Sequence, residues 1–218
     1  MKVLGLLAQK GGVGKTTLSV HLSVLAQAKG RRVVLVDCDK QGSAAAWWNT
    51  RPAETPELIQ IGADKLAAAL AAARADGVDL VVVDTAPAIS GETATVSALL
   101  DFALIPTRPG ILDLRAIGST VEVVRVVGTP AAIVLNSCPA GRGFGGADAS
   151  VTAEARTGLA GYGLELAPVA ITQRVALAHA LIDGRSVTEL EPGGKASKEI
   201  ATLWKWLEGK LWQQNAVR

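Results

Sequence analysis

The 218-residue chain is poor in several things at once. Its two cysteines, Cys38 and Cys138, are too few for a disulfide framework and cannot by themselves build a cysteine metal site. Histidine is equally scarce: His21 and His179 both fall on helical stretches and read as structural. No run approaches the roughly 18 uncharged apolar residues of a membrane span. The apolar run from Val3 to Ala8 ends in Gln9–Lys10 without a small-residue cleavage pattern, which argues against a signal peptide and for a cytoplasmic protein. One-sided charge is missing too, since a net charge of +2 with a pI of 8.6 permits nucleic-acid contact without demanding it. No internal repeat or interdomain linker stands out. What is plentiful is apolar side chain: 49% hydrophobic against 19% charged residues supports a sizeable core and excludes a disordered chain.

Short β-branched or Leu-rich runs alternate with longer helical patterns. The runs predict strands at 2–8, 32–37, 58–61, 79–84, 102–105, 131–136 and 166–170. Helices are predicted at 15–29, 43–49, 63–75, 92–100, 114–127, 148–161, 174–182 and 195–213. Strand–helix–strand repeats imply right-handed crossovers, hence one α/β domain over residues 1–218 with a mostly parallel, doubly wound sheet flanked by helices. "RVVLVD" and "DLVVVD" are continuous apolar runs, as strands covered on both faces require. The Gly-rich stretch 139–150 reads as a mobile loop.

"LLAQKGGVGKTTLSVHL" places a glycine-rich loop between the first strand and the first helix. A phosphate loop reads G-x-x-x-x-G-K-[ST], and Gly14, Lys15 and Thr16 supply its end. Its start is broken: Gln9 stands where the first glycine belongs, and an extra lysine, Lys10, precedes Gly11. Glycines let backbone N–H groups curl around phosphate oxygens, and the helix beginning at Lys15 aims its positive dipole end at them. Lys15 suits the β- and γ-phosphates and Thr16 a Mg²⁺ ion. Two strand ends add acid: "VVLVDCDKQ" ends in Asp37 and Asp39, and "LVVVDTAPA" in Asp84. A carboxylate after buried aliphatics is costly without a cation nearby, and Mg²⁺ is such a cation. Asp84 therefore fits a Walker B role, holding the ion through water.

"KGGVGKTT", "VDCDKQ" and "VDTAP" together resemble the deviant Walker A, Walker A′ and Walker B motifs of the ParA/MinD ATPases. That resemblance covers nearly the whole chain and removes the misfit at Gln9, since the family's loop reads K-G-G-x-G-K-[TS]. It implies ATP and Mg²⁺ as ligands, weak intrinsic ATP hydrolysis, and a homodimer that encloses two ATP molecules. The nucleotide would lie on Gly11, Gly12, Val13, Gly14, Lys15, Thr16 and Thr17, with Thr16, Asp37 and Asp84 grouped around the metal. Lys10 would reach across to the partner's nucleotide, Lys15 would act on its own, and Asp39 would orient the attacking water. The family usually places a proline after Asp39, where this chain has Lys40.

Starting directly at its first strand, the chain resembles the small, ParF-like type Ib plasmid partition proteins. "IPTRPGILD" and "AITQRVALAHALIDGRSVTE" are similar to segments of that group. The resemblance implies nucleoid association through nonspecific DNA and a small ParB/ParG-like centromere-binding partner. Asn136, at the end of "AAIVLN", is a candidate for contact with the base, or else an ordinary turn residue; Pro168 and its neighbours are the other candidate. Arg174, Arg185, Lys195, Lys198, Lys205 and Lys210 are candidate DNA contacts, or else a solvated face. A rival reading places the chain at a membrane or on a protein cargo. Ile200, Leu203, Trp204, Leu207 and Leu211 share one helical face that suits either a membrane interface or the core, and core packing is the expectation. Trp47 and Trp48 are left open between core and partner surface. An iron–sulfur reductase of this fold would need paired bridging cysteines; Cys38 lies inside the Walker A′ motif instead.

Overall fold

The computed structural model describes residues 1–87, 90–141 and 150–212. Seven strands form one sheet: β1 (Lys2–Leu6), β2 (Val33–Asp37), β3 (Glu57–Gln60), β4 (Leu80–Asp84), β5 (Phe102–Thr107), β6 (Ala131–Leu135) and β7 (Glu165–Leu166). Their order is β3-β2-β4-β1-β5-β6-β7, and every pairing is parallel. Strands of such a sheet are buried on both faces, and the side-chain period of two divides each apolar run between two cores. Val33, Leu35, Leu80 and Val82 enter one core, with Leu18 and Leu22 of helix α1 (Lys15–Ala28) and Leu203 and Leu207 of the C-terminal helix. Val34, Val36, Val81 and Val83 enter the other, with Leu66 and Leu70, Ile117 and Leu159.

The first face carries α1, α2 (Ser43–Thr50), α7 (Val175–Ile182), α8 (Val187–Leu190) and α9 (Lys195–Trp212). The second carries α3 (Leu66–Ala75), α4 (Ser90–Ser97), α5 (Ile111–Val127) and α6 (Ser150–Ala160). The sheet is therefore doubly wound. All its strands run the same way, so their carboxyl ends share one edge, where ligands of such sheets bind.

Among the differences from the sequence reading, two strand ends and one additional helix have identifiable reasons. The fifth strand runs past Ile105 to Thr107. Leu7 N–H bonds Leu104 O on one side and Ala103 N–H bonds Pro130 O on the other, so Pro106's missing N–H faces the side where β1 has already turned away. The strand expected at 166–170 shrinks to Glu165–Leu166, because Pro168 cannot donate to the ladder. Ala167 and Ile171 still donate to Ile133 and Leu135, so the segment follows β6 without being a regular strand. Helix α8 has no counterpart among the expected helices, although "SVTE" spells its capping box: Ser186 and Glu189 each accept the other's backbone N–H. Residues 142–149 of the expected Gly-rich loop, the first two residues of the helix expected at 148–161 and residue 213 lie outside the described residues.

Candidate nucleotide site

The loop between β1 and α1 curls because Gly12 and Gly14 adopt φ of 72° and 94°. Only glycine takes that conformation without strain, and a side chain on Gly14 would also collide with the Asn136 amide. That amide donates to Val13 O at 2.7 Å, bracing the loop from the end of β6. The Val13 side chain is buried, so only its backbone is available to a ligand. Lys15 folds back over the loop and donates to Ala8 O at 3.2 Å and Lys10 O at 3.5 Å. Burial lowers the pKa of its ammonium, with Asp84 and Asp39 countering. Lys10 points elsewhere and makes a 2.8 Å ion pair with Asp113 in the first turn of α5. The two lysines thus occupy separate electrostatic environments.

Asp37 and Asp84 are paired neighbours on β2 and β4 and are fully buried. Asp37 accepts from Asp39 N–H at 3.0 Å and Ala45 N–H at 3.0 Å, shaping the loop into α2 with both oxygens. Asp84 accepts from Ser19 Oγ at 3.2 Å through Oδ1, and the Thr16 hydroxyl stands close enough to pull its pKa down. The other Asp84 oxygen, Oδ2, is buried without a hydrogen-bond partner among the described residues. Burial raises the Asp84 pKa to about 7, against the opposing pull of Thr16, Ser19 and Lys15. An orphaned carboxylate oxygen beside a threonine hydroxyl is the donor set Mg²⁺ takes when substrate phosphates and water complete its shell. These residues fit the ion. Asp39, half-exposed, accepts from Gln41 N–H at 2.9 Å.

Gly11, Gly12, Lys15, Thr16, Thr17 and Asp39 line one cavity of about 990 Å³. Trp47, Arg108, Asn136, Gln173, Arg174 and Leu177 complete its wall. The phosphate loop, Asp39 and Asn136 are thereby brought together. Pro168 is not: it is exposed and outside this wall. The chain runs on beside β6 after β7, with Cys138 N–H bonded to Ile171 O, so Gln173 and Arg174 reach the cavity instead. Arg108 and Asp113 carried no assigned role in the sequence reading, although "IPTRPGILD" holds both.

The six basic candidates separate. Arg174 belongs to the cavity wall and is held by Glu199 at 2.8 Å, so it is no part of an open basic face. Arg185 pairs with Asp183 at 2.6 Å and Lys210 with Glu165 at 2.6 Å. Lys195, Lys198 and Lys205 are exposed, make no ion pair among the described residues, and fall within an arc of about 80° on α9. The opposite face of α9 is core: Ile200, Leu203, Trp204, Leu207 and Leu211 are each at most 3% exposed. The apolar face a membrane contact would need is consumed by the fold. Among the described residues no helix is long and apolar enough to cross a membrane. Trp47 is core and donates to Arg185 O; half-buried Trp48 donates to Pro56 O.

A profile of the CobQ/CobB/MinD/ParA nucleotide binding domain matches residues 4–187. The maintenance of carboxysome distribution protein A of Gloeobacter kilaueensis is 42% identical over 124 residues, 56% of either chain. Its namesake in Halothiobacillus neapolitanus is 30% identical over 200 residues, 87% of this chain and 88% of the relative. Among solved structures, the septum site-determining protein MinD of Pyrococcus horikoshii, complexed with Mg-ADP, superposes with a TM-score of 0.76 at 16% identity, covering 95% of this chain and 96% of that one.

Proposed function

We propose, since this chain belongs to the CobQ/CobB/MinD/ParA nucleotide-binding family, that it is an ATP-driven positioning enzyme that moves a cargo over nonspecific DNA. ATP is the substrate of this family's ATPases and Mg²⁺ accompanies it. When bound, the ion neutralises phosphate charge. Thr16 and Asp84 are the side chains that hold it, and Asp37 keeps the neighbouring loop in shape. Lys15 leaves its two carbonyl acceptors for the phosphates, and Asp39 orients the attacking water from the open side of the cavity. Lys10 exchanges Asp113 for the nucleotide of a second copy, so hydrolysis waits for a dimer. Cationic charge at the terminal phosphate offsets the negative charge of phosphoryl transfer.

The observation that supports the DNA arm is the stripe of Lys195, Lys198 and Lys205, exposed and without an ion pair among the described residues, on a helix whose other face is core. Phosphate-directed contacts of this kind are sequence-independent and salt-sensitive. Fluorescence anisotropy with a random-sequence duplex tests it. Wild type with Mg²⁺ and a nonhydrolysable ATP analogue should bind and wild type with ADP should not. Replacing the three lysines with alanine should abolish binding while leaving nucleotide affinity intact. Milder single variants should each flatten the salt slope by about 0.9 for every DNA phosphate left without its lysine. DNA affinity unchanged in the triple variant would refute this surface.

The cargo is DNA on the partition resemblance. A protein body is favoured instead by the names of the two carboxysome-distribution relatives. Deleting the gene separates them. Loss of an unselected plasmid or mis-segregated chromosomes identifies a DNA cargo, and clumping of a cytoplasmic body identifies a protein one.

A further inference from the structure

We infer that Arg108 is a γ-phosphate sensor: its guanidinium engages the terminal phosphate of the nucleoside triphosphate in its own subunit and gives this chain its preference for triphosphate over diphosphate. The inference rests on the nucleotide-site reading above. Arg108 is the first residue beyond β5, the strand adjoining β1, so it stands at the sheet edge directly beside the phosphate loop. Its backbone is fixed on both sides. Thr107 O accepts from Asn136 N–H at 2.8 Å, and Pro109 confines the preceding residue to extended conformations. The side chain lines the same cavity as Gly11, Gly12, Lys15, Thr16 and Asp39. Its Nη2 lies 3.8 Å from the point where a Cβ on Gly12 would sit, so the guanidinium hangs over the outer turn of the loop.

The charge of Arg108 is also uncommitted. Lys10 is neutralised by Asp113 and Lys15 is tied to two carbonyls, whereas Arg108 is exposed and makes no ion pair among the described residues. An exposed arginine normally finds a carboxylate or open water; this one faces a loop whose glycines and helix dipole already favour an anion. A planar fork of donors matches two oxygens of one phosphate, which a lysine cannot do. Lys15 and the loop N–H groups serve di- and triphosphate alike. A cation on the outer side of Gly12 is placed to tell them apart.

The test is nucleotide affinity at protein concentrations where light scattering reports a monomer, using fluorescent ADP and a fluorescent nonhydrolysable ATP analogue with Mg²⁺. Arg108→Ala should weaken the ATP analogue roughly ten- to hundredfold, the range for a hydrogen bond to a charged group, and leave ADP unchanged. Arg108→Lys should recover only part of the loss. Equal weakening of both nucleotides, no change in either, or an effect seen only in the dimer would overturn the inference. Lys15→Ala serves as the control for the underlying reading: it should lose both nucleotides. If it binds both normally the site itself is misassigned, and if it loses both while Arg108→Ala loses neither, only the role of Arg108 fails.

Discussion

Lys10 and Lys15 carry the same charge into different surroundings, five positions apart on one loop. Lys15 is 6% exposed and held by backbone oxygens. Lys10 is 40% exposed at its side chain and paired with Asp113. A half-exposed pair of this sort contributes at most about 1 kcal/mol, so it is a reversible tether and not a structural bond. Asp113→Asn should therefore leave stability within about 1 kcal/mol of wild type and, because two such pairs open in a symmetric dimer, lower the protein concentration needed for ATP-dependent dimerisation by up to roughly thirtyfold. Weaker dimerisation in analytical ultracentrifugation would mean that Asp113 assists Lys10 and does not compete with it. A second prediction concerns the thiols. Burial, with Asp37, Asp84 and Glu92 nearby, raises the Cys38 pKa to about 12, and Cys138 is 2% exposed. Native protein should resist a thiol-specific chromogenic reagent at neutral pH, and denaturant should release both. Fast labelling of Cys38 in the native state would show that the loop after β2 opens. At this scale residue type singles out the glycines, Lys15, Thr16, Asp39 and Asp84, and the parallel strands gather them at one sheet edge. The sequence was mute where a side chain's partner is distant. Nothing local to Lys10 points to Asp113, and nothing near Asn136 points to Val13, 123 positions away.

The junction of α1, α2, α7 and α8 shows how elements that approach the cavity are locked. His21, on the buried side of α1, bonds Leu177 O through Nε2 at 3.2 Å and accepts at Nδ1 from Val187 N–H at 3.2 Å. One imidazole thus joins three helices, and it must be neutral to accept. Burial lowers its pKa to about 4, against smaller opposing effects of Leu177 O and Glu189. The folded state binds fewer protons than the unfolded chain between pH 6.5 and 4, so this contribution is complete above pH 6.5 and is lost as pH falls towards 4. The loss amounts to roughly 3 kcal/mol. Denaturant titrations from pH 7 to 4.5 should show a decline in wild type that is distinctly shallower in His21→Gln; equal slopes would remove His21 as its source. The same junction depends on Gly184, at φ 66°, where any side chain would strike the backbone of Thr50 and Arg51. Arg51 meanwhile grips Glu189 at 2.8 Å and stacks over Trp47 at 5.2 Å. Gly184→Ala should cost about 2–5 kcal/mol from left-handed strain and overpacking, measured by chemical denaturation. A cost below about 1 kcal/mol would mean that the junction yields. The central strands were readable because burial on both faces writes continuous apolar runs, and the longer helices because one buried face writes a helical period. The short α8 escaped because four residues carry no period, and only its capping box announces it.

At the scale of the molecule, parallel strand order does the assembling. Phosphate loop, Walker A′ aspartates, Walker B aspartate and Arg108 come from four different strand ends, yet share one sheet edge because every strand points the same way. The exposed Lys195, Lys198 and Lys205 of α9 lie on a helix anchored by its apolar face against the sheet side that also carries α1. The proposed nucleotide site and DNA surface therefore share one packed core, joined through α1, α7 and α8. In the proposed dimer, two lysines on one loop serve two nucleotides, one in each subunit. Two triphosphates facing each other repel, and a lysine from each side offsets that repulsion more strongly in a water-poor interface than in bulk water. Light scattering with Mg²⁺ and a nonhydrolysable ATP analogue tests this directly, comparing wild type with Lys10→Ala after confirming that both bind the analogue as monomers. Wild type should shift from 22.4 kDa towards twice that mass, and Lys10→Ala should remain at 22.4 kDa. A wild type that stays monomeric, or a Lys10→Ala variant that dimerises as wild type does, would rule out a role for Lys10 across the interface.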